Sequence, residues 1–237
     1  MNSGGNLTVK LRTRANDPRE LPAYTISEAA HYLTVPAATI RYWSVGRHNY
    51  APLIKVPERT PALLSFINLT ELHVLAAIRR KHEVKMPSIR RAIEYLATNA
   101  RHAIDRNHPL ISRALETDGL DLFIEQYGQL INISRAGQTA MREIVSAALR
   151  RIDRDPDGIP IKLFPFTRAS VAATPSIVVI DPRLSAGRPV ISGTGLATQL
   201  IAERYKAGES ISDLAYDYER GNEEIEEAIR CELQAAA

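Results

Sequence analysis

The stretch YTISEAAHYLTVPAATIRYW, residues 24–43, holds two short helical patterns joined by a tight turn. In the first pattern, alanines and Leu33 recur at helical spacing behind Ser27, which we expect to act as the N-cap. The T-V-P sequence then forms the turn. In the second pattern, Ile40 and Trp43 lie three residues apart and so face the same side of a helix. The stretch therefore predicts a helix-turn-helix unit.

The second helix of this unit has an outward face of small and polar residues. Small residues at the helix start allow close approach to a DNA groove, and the N-terminal peptide dipoles favour phosphate. Arg41 can pair with a phosphate or with a guanine edge, and Tyr42 can donate a hydrogen bond to a phosphate oxygen. This face is therefore the predicted reading surface, although arginine and tyrosine can also simply cover a solvated helix.

A β-hairpin is predicted directly after this unit. The runs LIKV (53–56) and LLSFI (63–67) are rich in strand-forming residues and are separated by PERTP. A helix-turn-helix followed by a hairpin is typical of a winged helix-turn-helix, in which the hairpin places cations beside the recognition helix. The predicted DNA contacts are Ala38, Thr39, Arg41, Tyr42, Arg47, Lys55 and Arg59.

The next part of the chain predicts more helices and a second hairpin. A helix over TELHVLAAIRRKH is expected to start at Thr70, and another is expected to start at Pro87-Ser88. The runs DLFIEQ and QLINI flank Tyr127-Gly128 and predict a hairpin, which the periodic helix TAMREIVSAALRRI follows. The runs IKLFPF and SIVVI are predicted strands.

The last part of the chain predicts three helices behind the turn-rich stretch GRPVISGTG. The helical runs are LATQLIAERYKAG, SISDLAYDY and NEEIEEAIRCELQ, with Gly208 ending the first and Ser210 capping the second. The expected core residues are Ile201, Leu214, Ile225 and Ile229. Tyr205, Tyr216 and Tyr218 lie on or near the helical faces. These tyrosines are candidate partner contacts, with packing at the edge of the core as the alternative.

Charge divides the chain into unlike parts. Residues 1–107 carry 16 Lys and Arg against 8 Asp and Glu, residues 108–169 carry 8 of each, and residues 170–237 carry 6 against 11. The net charge of +3 conceals this asymmetry. A basic front suits phosphate, whereas an acidic rear should avoid nucleic acid and prefer a basic protein surface.

Several classes of site and of protein are excluded by motif and composition. The single cysteine, Cys231, allows neither an internal disulfide nor a cysteine zinc site. DRDPDG (153–158) begins like a calcium loop, but Phe164 stands where the bidentate glutamate is needed, so a helix-ending turn is predicted. No histidine pair has metal-ligand spacing, and no phosphate-binding or nucleophile motif is present. The sequence predicts no catalytic residue, no metal and no cofactor. It also predicts no membrane partner.

The front stretch resembles the N-terminal domain of the MerR and excisionase-like families. The match runs over about residues 24–50, and SIRRAIEYL resembles a later helix of these families. Two positions depart from the family pattern, since Thr34 replaces the usual turn glycine and Pro36 stands where the recognition helix is usually capped by Ser or Thr. Proline suits a helix start but offers no side-chain cap. The resemblance implies a DNA-reading fold and leaves the base contacts to this chain's own residues.

The rear stretch resembles small bacterial domains assigned to antitoxins of the VapB-like kind. GRPVISGTG and AGESISDLAYDY carry the match over about sixty residues, and Gly195 stands where the family usually has arginine. The resemblance implies a toxin-antitoxin pair. In such a pair the antitoxin represses its own operon through a DNA-binding end and covers a PIN-domain ribonuclease toxin with another segment.

The sequence as a whole predicts a mainly α fold with small β-hairpins. Its predicted parts are a winged helix-turn-helix (1–107), an α+β middle (108–169) and a three-helix module (170–237). We expect a cytoplasmic, homodimeric antitoxin that binds operator DNA and a PIN-domain ribonuclease, and not an enzyme. Two alternatives stay open: an effector-sensing, MerR-like transcriptional regulator, or a protein–protein adaptor whose front module does not touch DNA.

Overall fold

The computed structural model is mainly helical, with small antiparallel sheets among the residues that it describes. The predicted fold class, mainly α with small hairpins, is confirmed. No helix in the described part of the chain combines the length and apolar character needed to cross a bilayer. The structure describes residues 17–47, 50–80, 86–100, 106–112, 115, 119–131, 134–171 and 173–233.

The elements follow one another closely along the chain. The first half contains β1 (Tyr24–Thr25), α1 (Ile26–Leu33), α2 (Ala37–Ser44), β2 (Glu58–Arg59), β3 (Ala62–Leu64), α3 (Phe66–Arg79) and α4 (Met86–Asn99). The second half contains α5 (Leu120–Ile131), α6 (Arg135–Leu149), β4 (Ile152–Arg154), β5 (Pro160–Leu163), β6 (Val178–Val179), β7 (Val190–Ile191), α7 (Thr198–Lys206), α8 (Ile211–Asp217) and α9 (Asn222–Leu233).

Helix α1 starts at a reciprocal pair of hydrogen bonds. The Glu28 N–H donates to Thr25 Oγ1 at 3.2 Å, and the Thr25 N–H donates to Glu28 Oε2 at 2.8 Å. The prediction of Ser27 as the cap is wrong, because the extended backbone that a cap requires lies at Thr25. Helix α2 then packs against α1 through Ile40 and Trp43, both fully buried. The predicted helix-turn-helix is confirmed.

The turn between these two helices contains a strained residue. Thr34 has φ 54° and ψ 50°, the left-handed conformation that a β-branched side chain disfavours. We expect Thr34→Gly to raise the free energy of unfolding by roughly 0.5–1 kcal/mol, since glycine relieves this strain but has a more flexible unfolded state. Urea denaturation of wild type, Thr34→Gly and Thr34→Ala measures the effect. If the glycine variant is not more stable than wild type, contacts made by the Thr34 side chain outweigh the strain.

The predicted wing hairpin exists, but its strands are not the predicted ones. Strand β2 pairs with β3 in antiparallel register, with Glu58 opposite Leu63, and β1 pairs with the other edge of β3. The LIKV run is a loop, because the backbone N–H groups of Leu53 and Ile54 donate to the Trp43 carbonyl and Ile54 enters the core. The wing is therefore shorter and more polar than the sequence predicted.

Helix α3 is capped five residues before Thr70, where the sequence predicted the cap. Its N-cap is Ser65, whose Oγ accepts a hydrogen bond from the Asn68 N–H at 3.1 Å. Phe66 and Ile67, expected in a strand, form the first turn of this helix and are buried. Burial on several sides of α3 explains why apolar residues dominate it without strand-like alternation.

The second predicted hairpin is wrong, because the described part of both runs, up to Ile131, belongs to the single helix α5. Phe123, Ile124 and Tyr127 are buried on one side, at the spacing of a helix face. Gly128, predicted as turn residue, lies inside the helix at a close approach to α6: an added Cβ would meet the Gln138 side chain at 2.8 Å. The glycine therefore serves helix packing.

The DRDPDG turn joins two strands instead of ending a helix. It connects β4 to β5, which pair in antiparallel register, and the Ile159 N–H donates to Asp155 Oδ1 at 2.9 Å. Asp155 also forms an ion pair with Arg19, which joins this turn to the start of the described chain. The carboxylate that resembled a calcium ligand is thus engaged by protein donors.

Two separate hydrophobic cores organise the part of the chain that the structure describes. The larger one includes residues from Tyr24 to Ile180 and joins the helix-turn-helix to the middle helices and strands. The smaller one joins β7 and the three C-terminal helices, which are confirmed as predicted, with Ser210 capping α8. Its buried residues are Ile191, Ile201, Leu214, Ala215, Ile225, Ala228 and Ile229. We call residues 190–233 the rear module.

Candidate nucleic-acid interface

Helix α2 presents an exposed face of small side chains and one guanidinium group. Ala37 and Ala38 at its start and Arg41 one turn later are exposed, and Thr39 is half-buried beside them. Pro36 precedes the helix without a side-chain cap, so the first amides of α2 are not covered by a capping side chain. The opposite face is fixed in the core by Ile40 and Trp43.

Arg41 stands at a cleft between the helix-turn-helix and the wing. The cleft is about 480 Å³ and is lined by Arg41 and Val45 from α2, by the start of α1 and by residues 60–63 of the wing. The Arg41 side chain makes no hydrogen bond or ion pair with another residue of the described chain. Its five donors are therefore free for a ligand with acceptor oxygens.

A cluster of two tyrosines and an arginine joins the end of α2 to the loop that follows it. The Tyr42 and Tyr50 rings meet edge to face with centroids 6.3 Å apart, and the Arg47 guanidinium lies 5.8 Å from the Tyr42 centroid. The backbones of Arg47 and Tyr50 exchange two hydrogen bonds of 2.9 Å. This arrangement places Arg47, predicted as a DNA contact, against the ring of Tyr42, another predicted contact. Sequence reasoning missed Tyr50, although it is 53% exposed and only three residues beyond Arg47.

The two remaining predicted cations are positioned differently from the prediction. Lys55 lies in the loop before β2 and not on the wing, and its Nζ donates to Asn107 Oδ1 at 2.8 Å. The Arg59 backbone is in β2, opposite Ala62, while its side chain lies outside the described residues. Arg41 and the Arg47 cluster are thus on or next to α2, and Lys55 is held by a residue distant in sequence.

The Gly-Arg pair of the GRPVISGTG stretch docks against α1. The Tyr24 hydroxyl donates to the Gly187 carbonyl at 3.0 Å, and Arg188 forms an ion pair with Glu28 and lies 3.4 Å from the Tyr32 hydroxyl. Burial alone would raise the pKa of Glu28, but hydrogen bonds from Thr25 and Arg188 hold it below its usual value. Glu28 therefore both completes the α1 cap and anchors the rear of the chain.

Helix α9 adds two further connections to the rest of the molecule. Glu232 accepts a hydrogen bond from the Thr198 hydroxyl and lies 3.5 Å from His31 Nε2 of α1. The fully buried Glu227 accepts from the Thr167 hydroxyl and pairs with Arg168. The rear module is thus tied to α1 and to the segment after β5 through side chains, besides the chain connection itself.

The three candidate partner tyrosines occupy different environments. Tyr216 is 85% exposed on α8, and Tyr205 is 39% exposed on α7. Tyr218 packs against the small core, with the Arg204 guanidinium 5.0 Å from its ring centroid. Tyr205 lies next to Ile229 and Leu233 in a surface groove. Their role as partner contacts stays a prediction, and Tyr218 has the weakest claim because its ring is already covered.

Two family profiles match the two ends of the chain. Residues 22–93 match a family described as "Putative DNA-binding HTH domain", which covers both helices of the helix-turn-helix, the wing and the start of α4. Residues 178–230 match a family described as "Protein of unknown function (DUF433)", which covers the GRPVISGTG stretch and most of the rear module. The resemblance of the front to MerR proteins in particular stays a prediction.

Relatives from Mycobacterium tuberculosis match nearly the whole chain. "Putative antitoxin VapB45" is 30% identical over 237 residues, which covers 89% of this chain and 93% of that protein. "Uncharacterized protein Rv2308" is 26% identical over 215 residues, which covers 87% of this chain and 88% of that protein. The crystal structure of Rv2018 has 28% identity and a TM-score of 0.66, and it covers 88% of this chain and 98% of that one. Front, middle and rear therefore occur together in these relatives.

Proposed function

Because the chain belongs to the family of the mycobacterial protein VapB45, we propose that it is the antitoxin of a type II toxin-antitoxin pair. In this proposal it binds its own operator DNA, represses its own transcription and neutralises a PIN-domain ribonuclease toxin. The observation that carries the DNA-binding half is the exposed face of α2, where Arg41 lies beside the wing and makes no side-chain hydrogen bond or ion pair with another described residue.

The proposed complex places the start of α2 in the major groove. The small side chains of Ala37 and Ala38 allow the helix to approach the base edges, and the guanidinium of Arg41 reaches a guanine or a phosphate. Arg47, braced on the Tyr42 ring, and Lys55 add phosphate contacts on the side of the following loop. A homodimer would read two half-sites with two copies of α2.

The rear module is proposed to act on the toxin and not on DNA. Residues 170–237 carry 11 Asp and Glu against 6 Lys and Arg, which repels phosphate and attracts a basic protein surface. Ribonucleases bind a polyanion and so present such surfaces. This division of labour assigns operator DNA to the front and toxin to the rear.

The test of operator binding is fluorescence anisotropy of the full chain with duplex DNA from upstream of its own gene, at several salt concentrations. We expect specific binding that weakens steeply with salt. Arg41→Ala should weaken it roughly 10- to 100-fold, in line with about 1–3 kcal/mol for one base or phosphate contact of an arginine. Arg220→Ala is the matched control, since Arg220 is an exposed arginine of the rear with no side-chain partner among the described residues.

The other outcomes separate the alternatives. Weak binding without sequence preference, equal in wild type and Arg41→Ala, would refute the proposed operator binding and favour a protein–protein adaptor. Specific binding by a chain that does not rescue growth when a neighbouring ribonuclease gene is expressed would favour an effector-sensing regulator instead. Rescue by the wild-type chain is the result expected of an antitoxin.

A further inference from the structure

A shallow apolar groove crosses the outer surface of the rear module. It lies between the end of α7, the start of α8 and the last turns of α9. Two of its large apolar side chains are substantially exposed, Tyr205 at 39% and Leu233 at 42%. The groove is lined by Tyr205, Ile211, Glu226, Ile229, Arg230 and Leu233. Exposed apolar side chains that converge in one concave surface are typical of a binding site for a protein segment.

The buried side of α9 is already engaged within the molecule. Ala228 and Cys231 are buried, Glu227 is bound by Thr167 and Arg168, and Glu232 is bound by Thr198. The groove face is thus the side of α9 on which apolar groups stay open to solvent. Because the rear module has its own buried core, this surface is held by packed helices and not by a loop.

The charge that is left free in the groove is negative. Arg230 donates from Nε to Glu227 Oε1 at 3.2 Å, so its guanidinium is partly neutralised from within. Glu226 is exposed at the rim and has no hydrogen bond or ion pair with another described residue; the charge of Arg168, which is itself paired with Glu227, acts on it only at a distance. The net charge of residues 170–237 has the same sign. Charge complementarity therefore favours a basic occupant.

We propose that this groove binds a basic amphipathic helix of a protein partner. Apolar residues of that helix, spaced three or four apart, lie between Tyr205 and Leu233, and a lysine or arginine of the helix pairs with Glu226. This is the helix-in-groove mode of recognition. The inference deepens the proposed function and rests on it, because the helix is assigned to the ribonuclease toxin.

The test measures the affinity of the full chain for the PIN-domain ribonuclease encoded beside its own gene, by calorimetry at low and high salt. Glu226→Lys should weaken binding at least 10-fold at low salt, and less at high salt. The control Glu219→Lys makes the same charge change at an exposed glutamate outside the groove. Leu233→Ser should weaken binding by a similar factor, whereas Leu200→Ser, at a leucine that is 47% exposed outside the groove, should not.

The outcomes distinguish the groove from the proposed antitoxin function. A loss of affinity in Glu226→Lys and Leu233→Ser, with unchanged affinity in the two control variants, supports the groove as the binding site. Binding that is equal in all five proteins refutes the groove and leaves the antitoxin function in place. If the wild-type chain does not bind the ribonuclease, both the groove proposal and the proposed antitoxin function are refuted. Light scattering of the same variants tests another occupant: a mass that falls from dimer to monomer in Leu233→Ser but not in Leu200→Ser would assign the groove to a second copy of this chain, against the proposal.

Discussion

Acidification from pH 6.5 to pH 4.5 is expected to cost the fold about 2–3 kcal/mol through His73 alone, at a slope of about 1.4 kcal/mol per pH unit. The ring of His73 is 1% exposed and stacks on Phe166 with centroids 4.7 Å apart. Burial, together with the nearby charges of Arg151 and Arg80, lowers the pKa of His73 from 6.5 to about 3. A hydrogen bond with the Ala148 carbonyl opposes this shift only in part.

The sign follows from the two states of the His73 ring. In the folded protein His73 stays neutral down to a pKa of about 3, whereas in the unfolded chain it binds a proton below 6.5. Its contribution to stability is therefore complete above pH 6.5 and is lost as the pH falls towards 3. Carboxylates with lowered pKa, such as Glu28 and Glu227, lose their contribution below about pH 4.5. Between pH 4.5 and 6.5, the pH dependence of the free energy of unfolding therefore mainly reports the protonation of His73.

Urea denaturation at steps of half a pH unit tests this expectation. In His73→Leu the slope between pH 4.5 and 6.5 should flatten, because no proton is then taken up on unfolding at this site. His108→Gln is the matched control. Its partner Glu71 raises the pKa of His108 against the effect of burial, so that histidine stabilises the fold below 6.5 and loses its effect as the pH rises above it. A slope that persists in His73→Leu would rule out the buried ring as its source.

The helix-turn-helix could be read from sequence because its signals are local. Ile40 and Trp43 define one buried face within a single helix, and the turn before them allows little choice of geometry. The same holds for the rear helices, where Ser210 caps α8 as predicted. Patterns whose partners lie within one or two turns of a helix therefore carry enough information by themselves.

The errors arose where a short apolar run had two physically plausible partners. Phe123 and Ile124 belong to a run that fits a strand as well as a buried helix. The helix is favoured because α5 packs against both α4 and α6. In the same way, Ile54 and Phe66 were predicted as strand residues. Ile54 instead enters the core from a loop, and Phe66 enters it from the first turn of α3. Tertiary contacts override local preference in such runs.

The candidate site was predictable only in part. Arg41 is exposed beside the wing, where the helical pattern placed it, although Lys55 moved to a loop because the strands of the wing begin later. The pairing of Arg188 with Glu28 joins residues 160 positions apart, and no local pattern reports such a contact. The GRPVISGTG stretch was read as part of a partner-binding module, yet its arginine holds that part of the chain against α1.

The docking of the rear against α1 depends on the absence of a side chain at Gly187. We expect Gly187→Ala to lower the free energy of unfolding by roughly 2–4 kcal/mol, which combines backbone strain, a steric clash and a lost buried hydrogen bond. Gly187 has φ +76°, and an added Cβ would stand 2.4 Å from the Tyr24 hydroxyl oxygen. Tyr24 is 1% exposed and has no room to withdraw.

A second glycine with the same backbone separates the clash from the strain. Gly193 also has φ +76°, but an added Cβ there meets no atom of the described residues within 4 Å, so Gly193→Ala should cost only about 1 kcal/mol of strain. Tyr24→Phe removes the clashing oxygen, and Gly187→Ala should cost less in that background than in wild type. Urea denaturation of Gly187→Ala, Gly193→Ala, Tyr24→Phe and the double variant Tyr24→Phe/Gly187→Ala measures these losses. Equal losses for the two glycines would mean that Tyr24 does not hold the rear in place. A larger loss at Gly187, partly recovered with Tyr24→Phe, would mean that the motif fixes the rear module to α1, the helix on which α2 packs.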